Sequence, residues 1–315
     1  MIYKSLKEIC EIAEENKIPF WKVIQNDDCT ERGVEEAASF EQMRAMYQAM
    51  QHADEAYTGT RKSNSGMVGG DGKRVESYVA EGKAMSGPFI GKVMERAIKM
   101  GESNACMRRI VAAPTAGSCG VLPAVLLTYA DQIDADEEKI VEAMYTAAGI
   151  GQIIAHRASI SGAFGGCQAE IGSASAMAAG ALVHLKGGSK EDICCAVAIS
   201  LKSLLGLTCD PIGGLVEVPC VKRNVIGAVN AVTAADMVMA GVVSVIPGDE
   251  VIDVMGEIGN EMPKKYKETA EGGLATCPTA VEITKNDGRQ DILSTHSVPE
   301  NDLSVFIQQA YASNR

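Results

Sequence analysis

The chain has 315 residues and a net charge of −12, with 46% hydrophobic but only 4% aromatic residues. The length supports a sizeable core, and apolar content made of Ala, Val, Ile, Leu and Met suits close-packed helices better than aromatic-rich strands. The acidic balance and the lack of a basic stripe argue against a nucleic-acid partner, and no basic amphipathic run suggests a membrane surface.

Residues 4–15 read as a short amphipathic helix and 32–52 as a longer one. The N-terminus lacks the apolar core of a signal peptide. The stretch "SNSGMVGGDGKR" (63–74) breaks the pattern with clustered glycines and predicts a loop. A helix opens at Pro88 and runs to about 101. The small-residue turn around 113–120 leads into a helix over about 119–131, and Asp134 is expected to cap the next, over 135–155, with Glu137 as its capping-box partner. The cysteine-bearing segment 161–167 feeds an Ala-rich helix over about 168–186, closed by Gly187-Gly188. Ser189 is expected to cap a helix reaching about 205, and "LTCDPIGGLVEVPC" is irregular.

Residues 225–247 are long enough to span a bilayer. Asn230, Thr233 and Asp236 interrupt them, however, and no basic flank orients them, so a buried helix over about 222–245 is the better reading. Another helix is expected over 249–261, capped by Asp249 or Gly248. The expected fold is mostly α, a single large helical domain with Gly-rich loops between helices lining a site. That domain covers 1–280, and 281–315 reads as an exposed C-terminal tail.

Ten cysteines without a secretion signal suggest a reducing, cytoplasmic setting and either free thiols or metal ligands. There is no CxxC to support a zinc ribbon or a thioredoxin-like motif. Cys119, Cys167, Cys209 and Cys220 lie in or beside irregular loops, whereas Cys10, Cys106, Cys194 and Cys195 fall in apparent helices, where a cysteine is usually a small hydrophobe. The four loops (63–72, 113–120, 161–167 and 208–220) read either as plain turns or as N–H-presenting anion sites. In "SGAFGGCQAEIGSASAMAAG" (161–180) one cysteine and one acid stand among residues almost without bulk. Such clearing suits a thiolate that a wide group must approach.

The blocks "IVAAPTAGSCGVLPAVL" (110–126), "SISGAFGGCQAEIGSASAMAAG" (159–180) and "LTCDPIGGLVEVPCVKRN" (207–224) resemble the signature blocks of the iron–sulfur-dependent L-serine dehydratase alpha chain. "GMVGGDGKR" and "KAMSGPFIGKVMERA" are similar to earlier blocks of that family, so the likeness runs from about residue 60 to about 275. It implies a [4Fe–4S] cluster held by Cys167, Cys209 and Cys220, with one iron left open as a Lewis acid for the leaving hydroxyl. The implied reaction is loss of water from L-serine, ending in pyruvate and ammonia without pyridoxal phosphate. Thr115, Ala116, Gly117 and Ser118, with Ser65 and Gly66, are then candidates for binding the substrate carboxylate.

His156 is the candidate base, while Lys73 and Lys222 would need depressed pKa values to serve. The family's Ser-His-Thr-x-Gly-Pro motif is absent here, which implies a separate beta chain, and a homo-oligomer is also open. Some relatives end in a cysteine that covers the open iron. This chain ends in Arg315, leaving Cys277 as a possible substitute. Two alternatives stay open: L-cysteine desulfidation by the same β-elimination, and a non-catalytic cluster or zinc protein that scaffolds a partner.

Overall fold

The computed structural model describes residues 1–286, and among these it holds thirteen α-helices and no strand. The helical, single-domain expectation holds. The N-terminal layer is α1 (Leu6–Asn16), α2 (Phe20–Arg32) and α3 (Glu36–Glu55). The sequence pattern predicts one helix over 32–52, but Gly33 stops α2 in the left-handed region, at φ 63°, and α3 starts afresh. α2 itself escaped prediction because Asp27 interrupts its apolar face. That carboxylate is buried and accepts a hydrogen bond from Ile2 N at 2.8 Å.

Next come α4 (Asp71–Ala80), α5 (Gly87–Ala105), α6 (Val121–Ile133) and α7 (Glu137–Arg157). Asp136, not Asp134, caps α7, accepting from Glu138 N at 3.1 Å. Asp134 instead takes the left-handed conformation that closes α6. α4 begins inside the predicted loop because the Glu102 carboxylate of α5 accepts from Gly70 N, Asp71 N and Gly72 N at 3.1, 2.8 and 3.2 Å. A tertiary contact therefore supplies this cap. It also takes up the N–H groups that the sequence offered as an anion site.

A short turn, α8 (Gly162–Gly165), and a π-helical turn (Gln168–Gly172) lead into α9 (Ser173–Leu185). α9 is buried on every side from Ser173 to Val183, as a helix without a polar face must be. It packs against α6, α7, α10 (Lys190–Lys202) and α11 (Cys220–Met239). Its small residues allow this: a Cβ on Gly180 would lie 2.3 Å from Ile150 Cδ1. Ser189 caps α10 as expected, and with Asp192 it forms a capping box.

The Asn230 that interrupts the apolar segment donates to Ser175 Oγ at 2.9 Å and to Ser200 O at 3.0 Å, stitching α9, α10 and α11 together. α11 stops at Met239, short of the expected 245, and no helix among the described residues is long and apolar enough to cross a membrane.

α12 (Gly248–Glu261) starts after Pro247 with no side-chain cap of its own. Asp249, expected to cap it, reaches instead to the N-terminus of α1, accepting from Leu6 N at 2.8 Å and Lys7 N at 3.1 Å. α13 (Pro278–Asn286) covers the start of the segment predicted as a tail, and the remainder, 287–315, lies outside the described residues.

α5 and α6 approach closely at Gly120, where a Cβ would lie 2.6 Å from Ala97 O and 3.0 Å from Asn224 Oδ1. Gly120→Ala has no φ problem to meet, only this steric one. It should lower stability by about 1–3 kcal/mol, read as a lower urea midpoint at unchanged m-value. An unchanged midpoint would show that α5 and α6 can part at no cost.

Candidate metal centre

Three of the irregular segments are tied together by Gln168 and Asn224. Gln168 donates its N–H to Leu207 O (3.0 Å) and its Nε2 to Met255 O (3.0 Å), and its Oε1 accepts from Gly206 N (2.8 Å). Asn224 accepts from Gly120 N (2.8 Å) and donates to Gly117 O (2.8 Å) and Cys220 O (3.0 Å). Cys209 pairs with the 266–268 segment through Cys209 N to Tyr266 O (2.8 Å) and Glu268 N to Cys209 O (2.9 Å). The remaining loop joins through Glu217, a buried carboxylate that accepts from the hydroxyls of Ser63 (2.8 Å) and Ser65.

This bracing brings Cys167, Glu170 and Cys209 together, with one ligand atom of each within 4.8 Å of the others. Both cysteines are buried. A Cβ at Gly162 would lie 3.0 Å from Cys209 Sγ and 3.2 Å from Glu268 Oε2, so this glycine sits against the sulfur. Gly166 has φ +75° and meets Leu207 O and Met262 in the same way, which leaves no room for a side chain. The bulk-free sequence around Cys167 thus has a geometric basis.

The two thiols are driven apart in acidity. Cys167 is lowered, chiefly by the hydrogen bond from Cys209 and then by the guanidinium of Arg223, whose Nη1 lies 3.4 Å from its sulfur. Cys209 is raised by that same neighbour and by burial. Arg223 is fixed in place by Thr208 O (2.7 Å) and Asp210 Oδ1 (2.8 Å), and Asp210 also accepts from Leu274 N (2.9 Å).

Glu170 forms the opposite wall. Burial, with a smaller push from Glu268, raises its pKa to about 7, against the lowering effect of the Thr115 hydroxyl that donates to it. Thr115 Oγ1 lies 3.0 Å from Ser118 Oγ, and a Cβ on Gly117 would fall 2.5 Å from Glu170 Oε1. The small-residue turn therefore abuts the acid, and three of its four predicted residues face the centre or its neighbour. Ala116 is exposed.

Cys220, the third predicted ligand, is buried as the first residue of α11 and lies outside the 4.8 Å group. Its thiol is raised first by burial and then by Cys167 and Glu170, so it senses the same charges. Ser65 is bound to Glu217, and Gly66 is exposed at φ +77°. His156 is exposed on the last turn of α7 and is not a member of the group. Lys73 and Lys222 are exposed and paired with Glu76 and Asp71. Cys119 is fully buried, its thiol pushed up to about 12 by burial, and Cys277 is half-buried before α13; neither belongs to the group.

Sequence reasoning missed Glu170, Arg223, Asp210, Glu217 and Glu268. For Glu170 a signal existed, since it is the one acid in the cleared stretch.

The model of the "Serine dehydratase alpha chain" family matches residues 14–275. The chain belongs to this family. It is 45% identical over 286 residues to the "Probable L-serine dehydratase, alpha chain" of Bacillus subtilis, covering 90% of this chain and 95% of that one. It is 40% identical over 281 residues to the "L-serine dehydratase, alpha chain" of Peptoniphilus asaccharolyticus, covering 89% of this chain and 96% of that one. Against "L-serine dehydratase 1" of Escherichia coli it is 46% identical over 181 residues, which make up 57% of this chain and 40% of the longer protein. Alpha-chain relatives are thus matched along nearly their whole length, and the longer protein over one part.

The raised Glu170 carboxyl makes a signed prediction for the metal-free chain. Between its ordinary value of 4.5 and about 7 the unfolded chain ionises this group while the folded chain keeps it protonated. Stability is therefore withdrawn as pH rises through that window, and the loss is complete above it. Glu170→Gln removes the loss, so the variant should gain about 1–3 kcal/mol on wild type between pH 4.5 and pH 8. Urea unfolding at the two pH values checks this, and a difference flat with pH would contradict the assignment.

Proposed function

We propose that this chain is the alpha subunit of an enzyme that deaminates L-serine to pyruvate and ammonia. In this reading Cys167, Cys209 and Cys220 hold a [4Fe–4S] cluster. The observation that carries it is the buried Cys167–Cys209 pair, walled by glycines and grouped with Glu170, to which the Thr115 hydroxyl donates. It occurs in a chain whose alpha-chain relatives are named L-serine dehydratases.

The donor set suits the group. Thiolates are the usual ligands of iron–sulfur clusters, and glycines beside a ligand let a wide cofactor seat. A single tetrahedral metal with bonds of about 2.3 Å would draw its sulfurs to within about 4 Å of one another. Cys220, outside the tight group but under the influence of its charges, suits something broader. When bound, a cluster with three protein ligands supplies an open iron that acts as a Lewis acid toward the substrate hydroxyl.

The chain's own residues do the rest. Thr115 and Ser118 present hydroxyls that orient the substrate carboxylate, and Glu170 fixes Thr115 by accepting its proton in a hydrogen bond. Arg223 offsets the negative charge that gathers when the thiols ionise, at Cys167 first. Removal of the α-proton falls to a beta chain, because the family's histidine block is absent from this sequence. Elimination of water leaves aminoacrylate, which tautomerises and hydrolyses to pyruvate and ammonia. Pyridoxal phosphate has no part in this scheme.

A second reading rests on the 4.8 Å group itself: Cys167, Glu170 and Cys209 are close enough to hold one ion in a scaffold protein. Anaerobic purification followed by iron, sulfide and zinc analysis separates the two. The cluster reading expects iron and sulfide in equal amounts, lost in Cys167→Ser, Cys209→Ser and Cys220→Ser alike, with non-additive effects. The single-ion reading expects one metal without sulfide, and indifference to Cys220→Ser. Turnover should require co-expression with a beta chain, and comparing pyruvate released from serine and from cysteine tests the choice of leaving group. Cys209→Ser with full iron and normal turnover would end the proposal.

A further inference from the structure

Outside the metal centre a second pair of sulfurs lies close together. Cys10 on α1 and Cys194 on α10 have their sulfurs 3.5 Å apart, although the residues are 184 positions apart in the chain. Both are half-buried, so a small oxidant can reach them. Two further contacts hold the helices in register at this point. Lys190 Nζ pairs with Glu14 Oε2 at 2.6 Å, and Cys10 Sγ lies 3.8 Å from Lys190 O. The neighbouring Cys195 is turned elsewhere, with its sulfur accepting from Ser244 N at 3.0 Å and lying 3.7 Å from Val242 O.

We propose that Cys10 and Cys194 form a reversible disulfide on exposure to peroxide, pinning the N-terminal helix to α10. A disulfide needs its sulfurs at about 2.05 Å, so they must approach by roughly 1.5 Å, a shift within reach of two side-chain rotations. The polarity of the pair suits the chemistry. Cys10 is lowered by the Cys194 hydrogen bond and assisted by Lys190, while Cys194 is raised by the same contact and by burial. Cys10 is thus the attacking thiolate.

It takes one oxygen of hydrogen peroxide, releasing the first water and forming a sulfenic acid. Cys194 then attacks that sulfur and expels the second water. Two thiols lose two hydrogens, and one peroxide becomes two waters. A dithiol reductant reverses the bond. The inference does not rest on the serine reading.

The test uses the full anaerobically purified chain, titrated with hydrogen peroxide, alkylated with iodoacetamide and digested with trypsin without reduction. The expected result is a cross-linked pair of peptides, residues 8–17 joined to 191–202, that disappears on prior reduction. Two alkylatable thiols should be lost at these positions. The link should be absent from Cys10→Ser and present in Cys195→Ala, and fragment masses place it on Cys194 even if a variant folds poorly. Recovery of Cys10 and Cys194 as separately alkylated or separately over-oxidised residues, or a link from Cys10 to any other cysteine, would overturn the proposal.

Discussion

The centre depends on one constraint: four irregular loops meet in the protein interior, and every buried backbone N–H and C=O in them needs a partner. Helices satisfy their own backbone, but loops at this depth cannot. Long polar side chains from neighbouring elements meet the need. Asn224 uses both ends of its amide on the 113–120 loop and also holds Cys220 O, while Gln168 ties Gly206 to Met255 O of α12. Glu102 takes three consecutive N–H groups at the start of α4, and Glu217 gathers the serine hydroxyls. These bonds hold the cysteines at a separation that a flexible loop would not keep, so the chemistry inherits its rigidity from the braces.

The second determinant is electrostatic. The chain as a whole is strongly acidic, yet Arg223 is fixed beside Cys167 by a carboxylate and a carbonyl. In a buried site an unpaired thiolate is costly, and this guanidinium lowers the cost at one sulfur only. Glu170, kept near neutral pH by burial, adds a group able to hold a proton without adding a full negative charge. Charge at the centre is thus set by a few neighbours rather than by the net balance.

Much of this was legible in the sequence. The Ala-rich helix that follows Cys167 and the Ser189 cap of the next helix could both be read from residue type and position. The cleared surroundings of Cys167 follow from a requirement that only glycine meets at Gly166, and from the close seat of Gly162 against the Cys209 sulfur. What escaped were interactions between distant residues. Asp249 was read as a cap for its own helix and serves another; Asp134 was read as a beginning and is an end. Glu170, Arg223 and Glu217 look like ordinary charged residues until the fold aims them inward. Periodicity reports which face of a helix is buried, but not which side chain crosses from one loop to the next.

The Asp249 bridge to Leu6 and Lys7 bears on how the polypeptide is made. On a ribosome α1 emerges well before α12, and the carboxylate that completes its N-terminus is synthesised more than two hundred residues after it. At a typical synthesis rate of about 5–20 residues per second, this helix waits on the order of ten seconds or more for its partner. Its apolar face, with Leu6 and Ile9, is therefore on offer to chaperones throughout that interval. Such long-range closure raises contact order and slows the final step of assembly.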